Sequence, residues 1–533
     1  MKRPNVLWIT ALVLGWCFDF LFWKQAPGIN FAIYVVLCLA GGFLVLGLEG
    51  IKPHWKALLL LVPILFFTAM SFVRAEMLTQ FLAVAAVLGL MGLLAASYLG
   101  GRWPWYGLPD YLANAFRLAG SMLARPILFL NERRKAAPEA DPAGAGVAGR
   151  RSFWKRFWAV VRGVLIAVPV LAVFAALLAS ADPVFAERLY AFLSVFRLEN
   201  FPQYLFRAVY ICFGAYLLAG TFLHAGFKSR DEKLVGEDRP MLPPFLGFTE
   251  AAVVLGAVEA LFLAFVVIQF QYFFGGRSNI AIAGYTYAEY ARRGFGELVG
   301  VAFCSLLLFL GMSAIVRRDS GPKRQAFSGL GIGLLALVAV ILVSAFLRLG
   351  LYEAAYGFTR LRTYTHVFMF WLGALLAAIV VLELLRRERL FATAMLLAAL
   401  GFGASLALIN VDGFIARQDV ARAPSGQGLD VAYLASLSTD AVPALAANYQ
   451  DLKLPAATRD GVGAALVCWQ QLNTGNPPEG WQGFNLSRWW AERDLAALQK
   501  QLDRYRVDDS GWPIKVTTPD SVYYECQSSG GMD

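Results

Sequence analysis

Two apolar runs, residues 326–347 and 367–385, restrict most tightly what this chain can fold into. Each is long enough to cross a bilayer, which takes roughly 20 apolar residues. A short polar turn would suffice to join them. Residues 348–366 instead hold Arg348, Glu353, Arg360 and Arg362, interleaved with Tyr352, Tyr356 and Tyr364. Arg348, Tyr352, Tyr356 and Arg360 step by four and would share one face of a helix. Gly357 and Thr359 interrupt the stretch: glycine can end the first helix and threonine can cap the next.

Similar runs recur along the chain. Hydropathy gives about eleven spans, with cores at 5–22, 29–48, 56–73, 77–99, 158–180, 204–226, 246–273, 295–316, 326–347, 364–385 and 390–410. Only 16% of residues are charged, against about a quarter in soluble proteins. Met1, Lys2 and Arg3 ahead of an apolar stretch resemble a signal peptide. No small-x-small cleavage site precedes Lys24, so this is expected to remain as an uncleaved first helix. The expected fold is an all-α polytopic integral membrane protein with a small, mainly helical C-terminal domain. Four segments follow: residues 1–99, a first four-helix transmembrane segment; 100–157, a cytoplasmic insert; 158–410, a seven-helix transmembrane segment; and 411–533, an extracytoplasmic domain.

The net charge is +10. Basic residues collect on the cytoplasmic side of membrane proteins and against anionic lipid. With the N-terminus inside, about 25 basic residues near span ends face the cytoplasm and about 11 lie outside. The expected orientation therefore has the C-terminus outside. Apart from Lys24, the outer hairpins carry only arginine, which points to planar, multidentate pairing. No nucleic-acid-binding motif accompanies the charge, and no nucleic-acid partner is expected.

The insert opens with 110–131, where Leu112, Ala115, Phe116, Ala119, Met122 and Leu123 fall on one helical face and Pro126 is expected to break the helix. This reads as a helix lying in the membrane interface. The alternative is a short span, which would flip everything downstream. A Pro/Ala/Gly linker and the basic stretch RRSFWKRFW follow. The basic residues of 117–162 suit anionic lipid. The tail holds two stretches of helical spacing, 429–449 and 484–505, and ends in a stretch at 512–526 that alternates like a short strand or two. Cys468 and Cys526 lie in this tail and could form a disulfide there.

The unusual polar residues gather on the expected outer face. Asp19 lies near the outer end of the first span. Glu289, Arg292, Arg293 and Glu297 enter the eighth, and the 348–366 hairpin adds Arg348, Glu353, Arg360, Arg362 and His366. Charges at or below the interface are costly unless paired or wet. The economical arrangement sets Arg348, Arg360 or Arg362 against Asp19, Glu289 or Glu297. One reading makes these ion pairs that lock helix ends, with the tyrosines as an ordinary interfacial belt. The other makes Arg348, Tyr352, Tyr356, Arg360 and Arg362, with Asp19, Glu289, Arg292 and Glu297, a site for phosphate, carboxylate or a lipid headgroup. Glu259 is an acid in mid-span, in contact with a neighbouring helix or serving a proton relay. Two small-x-x-x-small pairs, Gly329/Gly333 and Gly401/Ser405, mark close packing.

No phosphate loop is encoded, no H-E-x-x-H or Cys-x-x-Cys metal motif, and no G-x-S-x-G nucleophile elbow. No catalytic residue, cofactor or metal is therefore assigned. The stretches LRLGLYEAAYGFTRLRTY, YTYAEYARRGFGELV and NVDGFIARQDVARAPSGQGLDVAYLASLSTDAVPAL, with FDFLFWKQAPGINF near the start, together resemble a bacterial membrane family catalogued as a domain of unknown function. It is the four-one-seven-three group, related to four-one-five-three. The resemblance implies a polytopic envelope protein of the bacterial cytoplasmic (inner) membrane and transfers no activity. Three functions follow from the residues. The first is a non-enzymatic transporter-like, sensing or scaffolding component that recognises an anionic envelope ligand. The second is an envelope enzyme, such as a lipid-linked-donor glycosyltransferase using Asp19. The third is a structural scaffold for a membrane or envelope protein partner.

Overall fold

The computed structural model describes residues 1–136, 201–230, 244–274, 295–317, 321–425, 428–473 and 480–527, with Leu234 and scattered positions between 163 and 188. Ten helices among the described residues are long and apolar enough to cross a membrane. They match ten of the eleven expected spans in order, and the remaining one, 158–180, falls mainly outside the described residues. The chain is an all-α polytopic membrane protein.

The helices run α1 Pro4–Phe22, α2 Ile29–Leu48, α3 Trp55–Leu58, α4 Leu61–Val73, α5 Met77–Ser97, α6 Leu108–Ala136, α7 Phe201–Phe227, α8 Phe248–Phe274 and α9 Phe295–Ile315. They continue with α10 Gly321–Tyr356, α11 Arg360–Leu384, α12 Phe391–Ile409 and α13 Val411–Arg422. The tail adds α14 Val431–Ser436, α15 Val442–Gln450, α16 Ala456–Asn473 and α17 Leu486–Leu502. Three short strands, β1 Arg506–Asp508, β2 Lys515–Thr517 and β3 Tyr523–Glu525, form an antiparallel sheet in the order β1-β2-β3. The alternation at 512–526 becomes β2 and β3, while β1 has only three exposed residues and no period to announce it.

One correction concerns a helix interior. Pro126 does not break α6, which continues through it to Ala136. The connection at 348–366 is interrupted at Gly357 and Thr359 as expected: α10 carries Arg348, Tyr352 and Tyr356, and α11 begins at Arg360. Only residues 357–359 form the turn. Gly357 stops α10 at φ +86°, and the Thr359 side chain accepts the Arg362 amide to cap α11. Arg360 therefore belongs to a different helix from the Arg348/Tyr352/Tyr356 face.

By its contacts the chain forms two units, one of Met1–Phe20 and Ala119–His224, the other of Leu21–Leu118 and Ala225–Asp533. In the first, an added Cβ on Gly15 would sit 2.7 Å from the Ile211 carbonyl oxygen, so α1 and α7 touch closely there. In the second, one buried cluster joins α8 to α11 through Leu255, Phe309, Leu334, Val338 and Leu372. Another joins α2 to α5. A third, with Ile415, Leu445, Val462, Leu466 and Leu498, forms the core of the tail; Leu406 of α12 is part of it and Leu82 of α5 packs against it. The tail thus shares its core with span ends.

Of the two small-residue pairs, Gly401 and Ser405 seat one indole. A Cβ on Gly401 would run into the Trp371 ring, and Trp371 Nε1 donates to Ser405 Oγ at 3.0 Å. The pair makes room for a side chain rather than for a second backbone. Gly333 faces Glu259: a Cβ there would lie 3.3 Å from Glu259 Oε1.

Candidate functional site

Among the described residues, Asp19 and the 348–366 charges fall in different units, and each has its own partners. In the first unit, Asp19 lies one turn beyond Gly15 on α1, and Arg207 one turn before Ile211 on α7. The close approach at Gly15 therefore brings them face to face. Arg207 Nε donates to Asp19 Oδ1 at 2.9 Å and its Nη2 to Oδ2 at 2.5 Å. Tyr210 donates to Asp19 Oδ1 as well. Asp19 is 3% exposed. Its partner is thus an arginine of α7, not one of the 348–366 arginines as the sequence reading expected.

In the second unit, Arg360 opens α11 and points at Asp412, the second residue of α13. Nε donates to Oδ1 at 2.8 Å and Nη2 to Oδ2 at 2.7 Å, a bidentate fork. Asp412 is completely buried, and its Oδ2 also accepts the Ser438 amide at 2.7 Å. The Arg360 amide donates to Tyr433 Oη at 2.9 Å. Burial pushes the Tyr433 phenol up to about 12, so it meets that amide as a neutral hydroxyl.

The neighbouring turns are held in the same way. Asp419 Oδ1 accepts the Phe358 amide at 2.8 Å, and Arg422 Nη2 donates to the Ala354 carbonyl at 3.2 Å. At φ +86° any other residue at Gly357 would be strained, and a Cβ there would also push the Arg422 guanidinium aside, lying 2.5 Å from its Nη1. Asp440 accepts the Ala75 and Glu76 amides at 2.7 and 2.9 Å in the α4–α5 turn. Burial raises both Asp419 and Asp440 above the ordinary carboxylate range, against the hydrogen bonds and arginines around them. Glu76 caps α5 through the Leu78 and Thr79 amides and accepts from Tyr364 Oη.

The other hairpin groups are also engaged. Arg362 lies 4.1 Å over the Tyr352 ring and donates to the Gly357 carbonyl at 2.6 Å. His366 Nδ1 is 2.9 Å from a Glu353 oxygen. Arg348 is buried, and Tyr356 is exposed beside Tyr352. Glu297 is exposed in the first turn of α9. Glu289, Arg292 and Arg293 lie outside the described residues. The sequence reading missed Asp412, Asp419, Asp440 and Arg207. Asp412 had a signal, since it follows a span directly. Asp440 sits in a helical stretch that looks like ordinary surface. In the tail, Cys468 and Cys526 are disulfide-bonded, joining α16 to the segment after β3.

Two of the stretches that carry the family resemblance, 347–364 and 410–445, therefore meet through Arg360–Asp412 and Phe358–Asp419. No curated protein and no solved structure matches the chain. The resemblance puts the four-one-seven-three group first and four-one-five-three as its relative, and the match falls on the latter. The model of the family described as Domain of unknown function (DUF4153) matches residues 61–448, more than half of the 533, and the chain belongs to that family.

Proposed function

We propose that this chain is a non-enzymatic membrane scaffold of the bacterial cell envelope, a multi-pass protein that holds its C-terminal domain rigidly on the ends of its spans. The observation behind this reading is the Arg360–Asp412 fork, seated in backbone hydrogen bonds from both sides. Here Arg360 and Arg362 are directed at an acid, a ring and a carbonyl of the chain itself. The glycosyltransferase reading needs Asp19 as a base, yet both its oxygens accept from Arg207 and Tyr210.

The orientation that fits is N-terminus in the cytoplasm and tail outside, in the inner membrane. Its support is the excess of Lys and Arg in the loops assigned to the inside. The bonded Cys468–Cys526 pair also suits an oxidising compartment. Alkaline phosphatase fusions after Val420 and after Ser320 test the orientation. Activity only at Val420 is expected; activity only at Ser320 overturns it. Protease added to spheroplasts tests the scaffold reading. The 411–425 region should resist cleavage in the native chain and become cleavable in Arg360→Ala.

The anionic-headgroup reading keeps one observation, the exposed Tyr356 beside the Tyr352–Arg362 stack. Thermal stabilisation of the native chain by phosphatidylglycerol that disappears in Arg362→Ala would favour it over the scaffold.

A further inference from the structure

The stretch 481–489 carries three large exposed aromatic side chains, Trp481 at 55%, Phe484 at 38% and Trp489 at 46%. Its backbone is fixed to span ends at two places. The amide of Ile29, first residue of α2, donates to the Phe484 carbonyl at 2.8 Å. Gly28 permits that approach, since a Cβ there would lie 2.6 Å from the same oxygen. Asn485, which caps α17, donates through Nδ2 to the Arg74 carbonyl of the α4–α5 turn at 3.0 Å.

These bonds set a depth. α2 has 20 residues, about 30 Å of helix and so about one hydrocarbon thickness. Ile29 therefore lies at a membrane–water boundary, and Phe484, hydrogen-bonded to it, lies at nearly the same level. At that level tryptophan is favoured, because its ring is apolar and its N–H can reach water or headgroups. The Arg493 guanidinium, bonded to Asp494 at 3.0 Å, lies 5.4 Å from the Trp489 ring and adds a polar group at the same level.

We propose that Trp481, Phe484 and Trp489 form an interfacial anchor that inserts into the headgroup region of the bilayer. The tail domain then lies against the membrane surface instead of projecting from it. The proposal needs the span assignment but not the orientation, and it stands whether or not the scaffold reading does.

The test uses the full chain in proteoliposomes, with Cys17, Cys38, Cys212 and Cys304 replaced by alanine. Trp481→Cys and Trp489→Cys are labelled with an environment-sensitive fluorophore, and Trp512→Cys, an exposed site beside the β-sheet, is the reference. Labels at 481 and 489 should be quenched several-fold more by a shallow spin-labelled lipid than the label at 512. Aqueous iodide should show the reverse order. Equal iodide quenching at all three sites overturns the anchor, as does shielding of 481 and 489 from both quenchers, which would mean that a second copy covers them. Should Trp489→Cys fail to fold, Phe484→Cys carries the same comparison.

Discussion

The two Asp–Arg forks use the same chemistry in different settings. Asp19–Arg207 joins two spans, has one tyrosine as its further donor, and sits beside a close helix contact at Gly15. Arg360–Asp412 joins a span to the tail and is surrounded by backbone groups of α11 and of the segment before α15. The first can fix only the register of one helix against another. The second fixes a domain, because Asp412, Ser438 and Tyr433 belong to consecutive parts of the tail. Removing an ion from either fork strands its partner, and the penalty depends on how far water can reach that partner.

The largest expected effect comes from Arg360→Ala. Asp412 is completely buried and would keep only the Ser438 amide, so the loss should be about 3–5 kcal/mol. Asp412→Ala should be milder, because the Arg360 side chain is 35% exposed and can turn to water. Thermal unfolding in nanodiscs measures both. A larger loss for Asp412→Ala would show that the fork is not controlled by the buried acid. Next in size is Cys526→Ser, expected to destabilise the tail by about 2–4 kcal/mol through the freed loop without altering labelling of cysteines in the spans.

Asp19→Asn should be smaller still, about 1 kcal/mol, because polar contacts between membrane helices are individually weak. It should leave protease resistance of 411–425 unchanged. If it exposes that region, the two forks are coupled and the contrast between them fails. The smallest effect is on pH. Asp440 and Asp419 are raised in the fold by burial above the unfolded value of about 3.9. Their contribution is therefore full below that unfolded value and is lost as pH rises through the raised values. Asp440→Asn should flatten the fall in melting temperature as pH climbs from about 4 towards neutral. An unchanged slope would assign the dependence to other groups.

The spans were legible because a bilayer reads the local sum of hydropathy, which a sequence displays directly. The turn at Gly357 and Thr359 was legible for the same reason: both act through their own backbone. The forks were not, since Arg360 and Asp412 are 52 residues apart, Asp19 and Arg207 188, and Ala75 and Asp440 365. An arginine at a helix end announces that it needs a partner but not which of many acids will reach it. Asp412 stands at the start of a helix that follows a span, where an acid looks like an ordinary first-turn residue. Pro126 misled for a related reason. A lone proline removes one hydrogen bond and bends a helix, and here α6 continues through it.

Between α12 and α13 there is one residue. Asn410 takes a left-handed conformation at φ 55°, accepts the Gly413 amide at 3.1 Å and donates to the Asp440 carbonyl at 3.2 Å. A tether of that length has little slack, and Leu406 of α12 is packed into the tail's core beside it. The chain and the packing thus act on α12 like a weld and a wedge at one joint, so a load on the tail is delivered to a transmembrane helix by two routes at once.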